Sequence, residues 1–319
     1  MIASILGLIG CSSWTQTPNT VLVRSPGNDE YQAEQDSGKT ATEHLVYAAI
    51  SANVYERKHE PTPNQTPLDQ LARLSCQNVV WPVTVKNWTR WWSFPDATLK
   101  KSLHEASMHV EVWENLIDNP QIVIAFEGTV FTSRDHWKAN LRWLLRFLPK
   151  YEDHYTIASK AIATAFHKVI SESPEKYIFD PNSSSLKLKD GRSVPIIATG
   201  HSLGGGLAQQ FAYAFLQTTT PPAGPKVNEV FAFDPSPITG WFSSENPPRD
   251  YNARGLRINR IFEHGEILAY LRIFTSNIYL RKADPAFWIY RYNVEQSADL
   301  VGSHSMQNLV CGLAKAVPK

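Results

Sequence analysis

A surplus of one charge is the first thing this chain lacks. Its 31 Lys and Arg nearly cancel its 30 Asp and Glu, for a net charge of +1, so nothing in the balance points to a nucleic acid partner. Cysteine is scarce too: Cys11, Cys76 and Cys311 are too few to define a disulfide framework. Cys76 and Cys311 are expected as two buried free thiols, although an oxidising compartment would let them pair if the fold brought their Cα atoms together. Long apolar runs are missing as well, since the stretch Met1 to Gly10 is too short to span a bilayer. Internal repeats and a second-domain boundary are also absent. What is present is aromatic density, with ten Trp, among them Trp81, Trp88, Trp91, Trp92, Trp113, Trp137 and Trp143. Most suit packing, and some suit a lipid interface. With 319 residues and 43% of them hydrophobic, the chain can build one large α/β domain.

The sequence divides into a possible signal segment (1–11), a polar stretch with Pro18, Pro26, Gly27 and Gly38 expected as a flexible tether (12–40), and a folded domain (41–319). Leu8-Ile9-Gly10-Cys11 resembles the lipobox of bacterial lipoproteins, which implies cleavage before Cys11 and a lipid on its thiol. A secretory signal should open with a basic segment, yet the first basic residue is Arg24. The alternative is an ordinary buried N-terminus. The resemblance implies a membrane-anchored lipoprotein, or a secreted or periplasmic protein.

Hydrophobic periodicity predicts a helix from about Thr42, on which Leu45, Ala48, Ala49, Ala52 and Val54 share a face, ending at the Pro-rich turn 61–67. Extended stretches are expected near 79–85 and 109–113, then a strong strand at 122–126. Further strands are expected at 194–199, 230–233 and 256–262, with helices near 136–148, 153–171, 203–217 and 303–315. Strands alternating with helices indicate βαβ units. The expected fold is therefore α/β, a mostly parallel sheet with helices on both faces.

The most informative segment is Gly200-His201-Ser202-Leu203-Gly204-Gly205-Gly206, directly after the apolar run 194–199. A chain this long holds a bare G-x-S-x-G by chance roughly one time in ten, so the context has to carry the reading. That context is a buried strand before the motif and, after it, the apolar helix face of Leu207, Ala208, Phe211, Ala212 and Phe215. On such a strand-to-helix turn the serine hydroxyl is lifted clear of the sheet, where a base can reach it. No Lys follows the glycines, as a nucleotide-binding loop would need. Ser202 is the candidate nucleophile for acyl transfer.

A nucleophilic serine needs a base, an acid to orient the base, and donors for the oxyanion. Only His264 and His304 lie downstream of Ser202. His304 precedes a C-terminal helix, where a loop can carry it back over the serine, so it is favoured as the base. Two acids remain open: Glu266, in the loop after the strand ending near Phe262, and Asp234, which ends the preceding strand but would also suit a turn. Asp299 is expected on a surface loop. The Leu203 amide, at a helix start, is one oxyanion donor. Phe126-Glu127-Gly128-Thr129, at the end of an earlier strand, offers the second through Thr129.

These pieces resemble the class 3 lipases, the fungal-lipase-like branch of the α/β hydrolases. The shared islands are the 200–205 motif, Ala125-Phe126-x-Gly128-Thr129, and a Trp137 to Leu141 segment similar to the family's Trp-x-x-Asn-Leu variants. The resemblance spans about residues 42–315. It implies Ser202 as nucleophile, His304 as base, and Thr129 and Leu203 as the oxyanion hole. Glu266 stands where the family usually has Asp, which leaves Asp234 as the alternative acid. Glu127 stands where the family commonly has Arg, and a carboxylate aimed at an oxyanion would oppose catalysis. It is therefore expected to face away, paired with a base or solvated.

By the same resemblance, segment 135–150 is a lid. Trp137, Leu141, Leu144 and Leu148 fall on one helical face, and Lys138, Arg142, Arg146 and Lys150 on another, which suits an anionic lipid surface. A surface helix with its apolar side on the core has the same pattern. The expected activity is hydrolysis of lipid carboxylic esters, of lipase or phospholipase type, through an acyl-enzyme. An acyltransferase using the same site and a catalytically silent lipid-binding lipoprotein are the alternatives. Neither a cofactor nor a metal ion is called for, and the substrate is a lipid or other ester.

Overall fold

The computed structural model describes residues 16–55, 76, 79, 81, 85–128, 159–181, 184–215, 224–237, 239–242, 244–246, 248–266, 284–294 and 304–318. Signal segment 1–11, the Cys11 anchor, Thr129, lid segment 135–150 and Asp299 lie outside them.

Eleven strands are described: β1 Val21–Arg24, β2 Gln32–Ala33, β3 Thr89–Arg90, β4 Val110–Asn115, β5 Gln121–Phe126, β6 Tyr177–Asp180, β7 Ser185–Leu188, β8 Ile196–His201, β9 Val227–Phe233, β10 Arg257–Glu263 and β11 Ala286–Tyr292. Nine form one sheet in the order β2-β1-β11-β10-β9-β8-β5-β4-β3, and β6 and β7 make a separate hairpin. The central run β5-β8-β9-β10-β11 is parallel, and antiparallel strands close both edges. Parallel strands covered on both faces read as unbroken apolar runs, as Ile122-Val123-Ile124-Ala125-Phe126 does with every residue fully buried.

Alternation along the strands splits the core into two layers. Ile122, Ile124, Ile196, Val230 and Ile258 face a helix running through residues 159–171 and the helix Leu203–Ala214. Val123, Ala125, Ile197, Phe231 and Ile261 face helices α1 (Ser37–Asn53) and α5 (Met306–Ala316), which pack on each other. The shorter α2 is Ala97–Glu105, helix Leu203–Ala214 is α3, and α4 is Pro248–Ala253.

Register places the C-terminal ends of the parallel strands side by side: Phe126 opposite Gly200, Gly200 opposite Ala232, and Phe233 opposite Ile261. In open α/β sheets this end is where ligands are bound.

The tether expectation is corrected from residue 16 onward. Val21 to Arg24 pair antiparallel with β11, and the Gln16 side-chain amide donates to the Thr20 and Arg291 carbonyls at 2.9 and 2.8 Å. The β-branched Val21 and Val23 satisfy an edge of the sheet, and Pro26 and Gly27 mark only the turn that follows. Helix α1 starts at Ser37, five residues ahead of Thr42, because Asp36 caps it by accepting the Lys39 amide at 2.8 Å. The expectation of two free thiols is overturned as well. Cys76 and Cys311 form a disulfide, their Cα atoms 5.3 Å apart across a separation of 235 residues. That separation hides their adjacency from the sequence.

Candidate active site

Ser202 occupies the turn between β8 and α3 with φ 56°, a left-handed conformation that non-glycine residues rarely adopt. Its amide donates to the Phe233 carbonyl at 2.9 Å, and its own carbonyl accepts the amides of Gly205 at 3.1 Å and Ser236 at 3.0 Å. These bonds hold the strained backbone in place. Close packing of the turn explains the flanking glycines. A Cβ on Gly204 would strike the Phe126 carbonyl, and one on Gly200 the Gly204 carbonyl.

His304 sits just ahead of α5, whose first turn is capped by the Ser305 hydroxyl. Its Nε2 is 3.1 Å from Ser202 Oγ, and its Nδ1 is 3.0 Å from Glu266 Oε2. Glu266 is fully buried, and His304 and Ser202 are 4% and 6% exposed, so the chain of three groups is sheltered from bulk water. A carboxylate only accepts, so Nδ1–H donates to Glu266 and Nε2 presents its lone pair to the serine hydroxyl. His264 does not take this place: its amide donates to the Tyr292 carbonyl at 2.7 Å, in the turn after β10.

Of the two candidate acids, Glu266 contacts His304 directly. Asp234, also fully buried, has its Oδ1 accepting the Glu263 amide at 3.1 Å. Leu203 opens α3 beside Ser202. Glu127, expected to face away either paired with a base or solvated, is 4% exposed, so of those two placements the solvated one does not hold. Its amide donates to the His109 carbonyl at 3.0 Å, closing β5 against the start of β4.

Two residues of the site were not singled out from sequence. Tyr55, just past α1, accepts the Gly128 amide on its hydroxyl at 3.0 Å, and that hydroxyl lies 3.1 Å from His201 Nδ1. His201 Nε2 is 2.9 Å from the His304 carbonyl, which can only accept. His201 therefore carries its proton on Nε2 and accepts the Tyr55 hydroxyl on Nδ1. Burial, and secondarily the charge of His304, hold the His201 pKa well below the usual value, so the ring stays neutral. Burial likewise raises the Tyr55 hydroxyl. The His next to Ser202 in the glycine motif was the available signal for this pair.

Among the described residues, His201, Asp234 and His304 offer ligand atoms mutually within 4.8 Å. Both nitrogens of each ring are engaged in the hydrogen bonds above, so the cluster as arranged does not present the lone pairs a metal ion would need.

A mostly parallel sheet with helices on both faces, carrying a serine on a strained turn at the strand ends, defines an α/β hydrolase. Residues 123–242 match the family model described as Lipase (class 3), so this segment, which is less than half of the chain, is similar to the class 3 lipases. The match runs from β5 past β9 and includes Ser202 and Asp234; Glu266 and His304 lie beyond it. It supports lipase or ester hydrolase activity in general terms. A comparison with curated proteins gives no match.

Proposed function

We propose that the protein hydrolyses carboxylic esters of lipids through an acyl-enzyme on Ser202. The observation that carries this reading is the continuous contact from Ser202 Oγ through the His304 ring to the buried Glu266, at the C-terminal ends of the parallel strands. His304 Nε2 takes the serine proton as Oγ attacks the ester carbonyl, and Glu266 stabilises the imidazolium that forms. The Leu203 amide at the α3 N-terminus and the Thr129 amide and hydroxyl receive the oxyanion. His304 then returns the proton to the leaving alcohol. In the second half His304 activates water, which cleaves the acyl-serine bond and regenerates Ser202.

Lipid esters are favoured over small esters by the amphipathic pattern of segment 135–150, whose apolar stripe would meet acyl chains and whose basic residues would meet an anionic surface. The Cys76–Cys311 disulfide supports a reading in which the protein works in an oxidising location outside the cytoplasm, with Cys11 as the cysteine for a lipid anchor. No helix among the described residues is long and apolar enough to cross a membrane. Turnover of p-nitrophenyl acyl esters tests the reading. Ser202→Ala should lower it by at least about 10⁴-fold while the protein stays folded, and undiminished turnover would remove Ser202 from the mechanism.

A further inference from the structure

We infer that Asp234 is a second carboxylate acting on His304, a positioning group that supplies charge to the base alongside Glu266. The inference rests on the reading of Ser202, His304 and Glu266 given above. Asp234 follows β9 directly, and its backbone is held at φ 39°, where non-glycine residues are rare. It has no solvent exposure. Its amide donates to the Ile261 carbonyl at 2.8 Å and its Oδ1 accepts the Glu263 amide at 3.1 Å, so one residue clasps the ends of β9 and β10. The turn carrying Glu266 springs from that clasp, with the Glu266 amide on the Glu263 carbonyl at 3.4 Å.

The clasp alone needs an acceptor and no charge. The position of the carboxylate goes further, since one of its oxygens lies within 4.8 Å of a ring nitrogen of His304 and of His201. His201 is kept neutral by burial, which leaves His304 as the ring that answers a negative charge there. The titratable groups around His304 are Glu266 from the turn after β10, Asp234 from the end of β9 and His201 from β8. Glu263 and Tyr55 lie behind them. A carboxylate at this range favours the protonated imidazole, so it raises the His304 pKa and stabilises the imidazolium formed during attack. Two carboxylates reaching the histidine from neighbouring strands would also leave orienting charge in place when one is lost.

Asp234→Asn isolates the charge, because Asn keeps the Oδ1 acceptor for the Glu263 amide. The experiment follows kcat and kcat/KM for p-nitrophenyl butyrate against pH in the full chain and in Asp234→Asn, Glu266→Gln, the double variant and Ser202→Ala, with Tm recorded for each. In Asp234→Asn the acid limb of kcat/KM should move down by about 0.5–1 pH unit, and kcat should fall about tenfold at nearly unchanged KM and Tm. Glu266→Gln should keep residual turnover, with its acid limb no lower than an ordinary histidine, and adding Asp234→Asn should cut that turnover about a further tenfold.

A limb that stays put in folded Asp234→Asn makes Asp234 a backbone clasp only and overturns the inference. Should that variant fail to fold, an acid limb in Glu266→Gln well below the ordinary histidine range, as burial alone would give, overturns it equally. Turnover that survives Ser202→Ala sinks the underlying triad instead, so the two failures are told apart.

Discussion

At Ser202 the chain accepts a left-handed backbone that glycine would adopt without strain, and the residue that bears the hydroxyl is fixed there by bonds to Phe233, Gly205 and Ser236. The neighbouring glycines are the condition for that turn. Gly204→Ala would push a methyl into the Phe126 carbonyl and against Glu127 and Gly128, backbone that cannot swing aside. It should lower kcat by about 10²-fold or more and reduce stability by about 2–4 kcal/mol, as read from ester turnover and a urea titration. Tyr55→Phe is a milder probe. It leaves the half-buried Gly128 amide and His201 Nδ1 without their shared hydroxyl, and kcat should fall about tenfold with a smaller change in KM, because the affected groups border the proposed oxyanion turn and the proposed base. Sequence made Ser202, His304 and Glu266 legible as candidates for definite reasons: a glycine-bracketed serine after an apolar run, few downstream histidines, and an acid just past a strand. It left Glu266 and Asp234 in competition. Both follow parallel strands, and only the fold shows that Glu266 touches the ring while Asp234 bonds the Glu263 amide. Tyr55 was silent because it meets His201 across a separation of 146 residues.

Among the elements, the central strands were the easiest to read, since burial on both faces leaves continuous runs rich in β-branched residues, such as 122–126 and 196–199. The sheet's other end was not. β11 is rich in Phe, Trp, Ile and Tyr, all strand formers, but this run was not distinguished from the sequence around it, and without β11 the short β1 has no visible partner. The proline and glycine of the turn after β1 then gave the whole segment the look of a tether. The disulfide joins residue 76 to α5, the helix that begins just past His304. Replacing both Cys76 and Cys311 by Ser should lower unfolding free energy by about 2–5 kcal/mol. It should also lower activity before global unfolding, since α5 begins just past His304, the proposed base. Denaturant titrations followed in parallel by fluorescence and by ester turnover would check both, and coincident transitions would contradict the second.

On the scale of the whole molecule, the two-layered core encloses histidines that stay neutral in the folded state. His44, on α1 with Nδ1 2.8 Å from the Tyr292 hydroxyl, is lowered to about 3 by burial and, secondarily, by Arg257. His167 is lowered to about 4 by burial. Below about pH 6.5 the unfolded chain binds protons that the folded one refuses, so their contribution to stability is present above that pH and is lost as pH falls toward 3–4. His44 alone should cost about 2–3 kcal/mol between pH 6.5 and 4.5. Stability measured by urea titration should fall across that window, and His44→Gln should flatten the slope; an unchanged slope would contradict a neutral buried His44. The central claim, however, is that Ser202 is an activated nucleophile. It is tested most directly by treating the folded protein with a fluorophosphonate probe and locating the adduct by mass spectrometry. The account predicts one phosphonyl group on Ser202, absent from Ser202→Ala and slowed in His304→Ala. Folded protein that takes up no label, or takes it up equally well without Ser202, would contradict it.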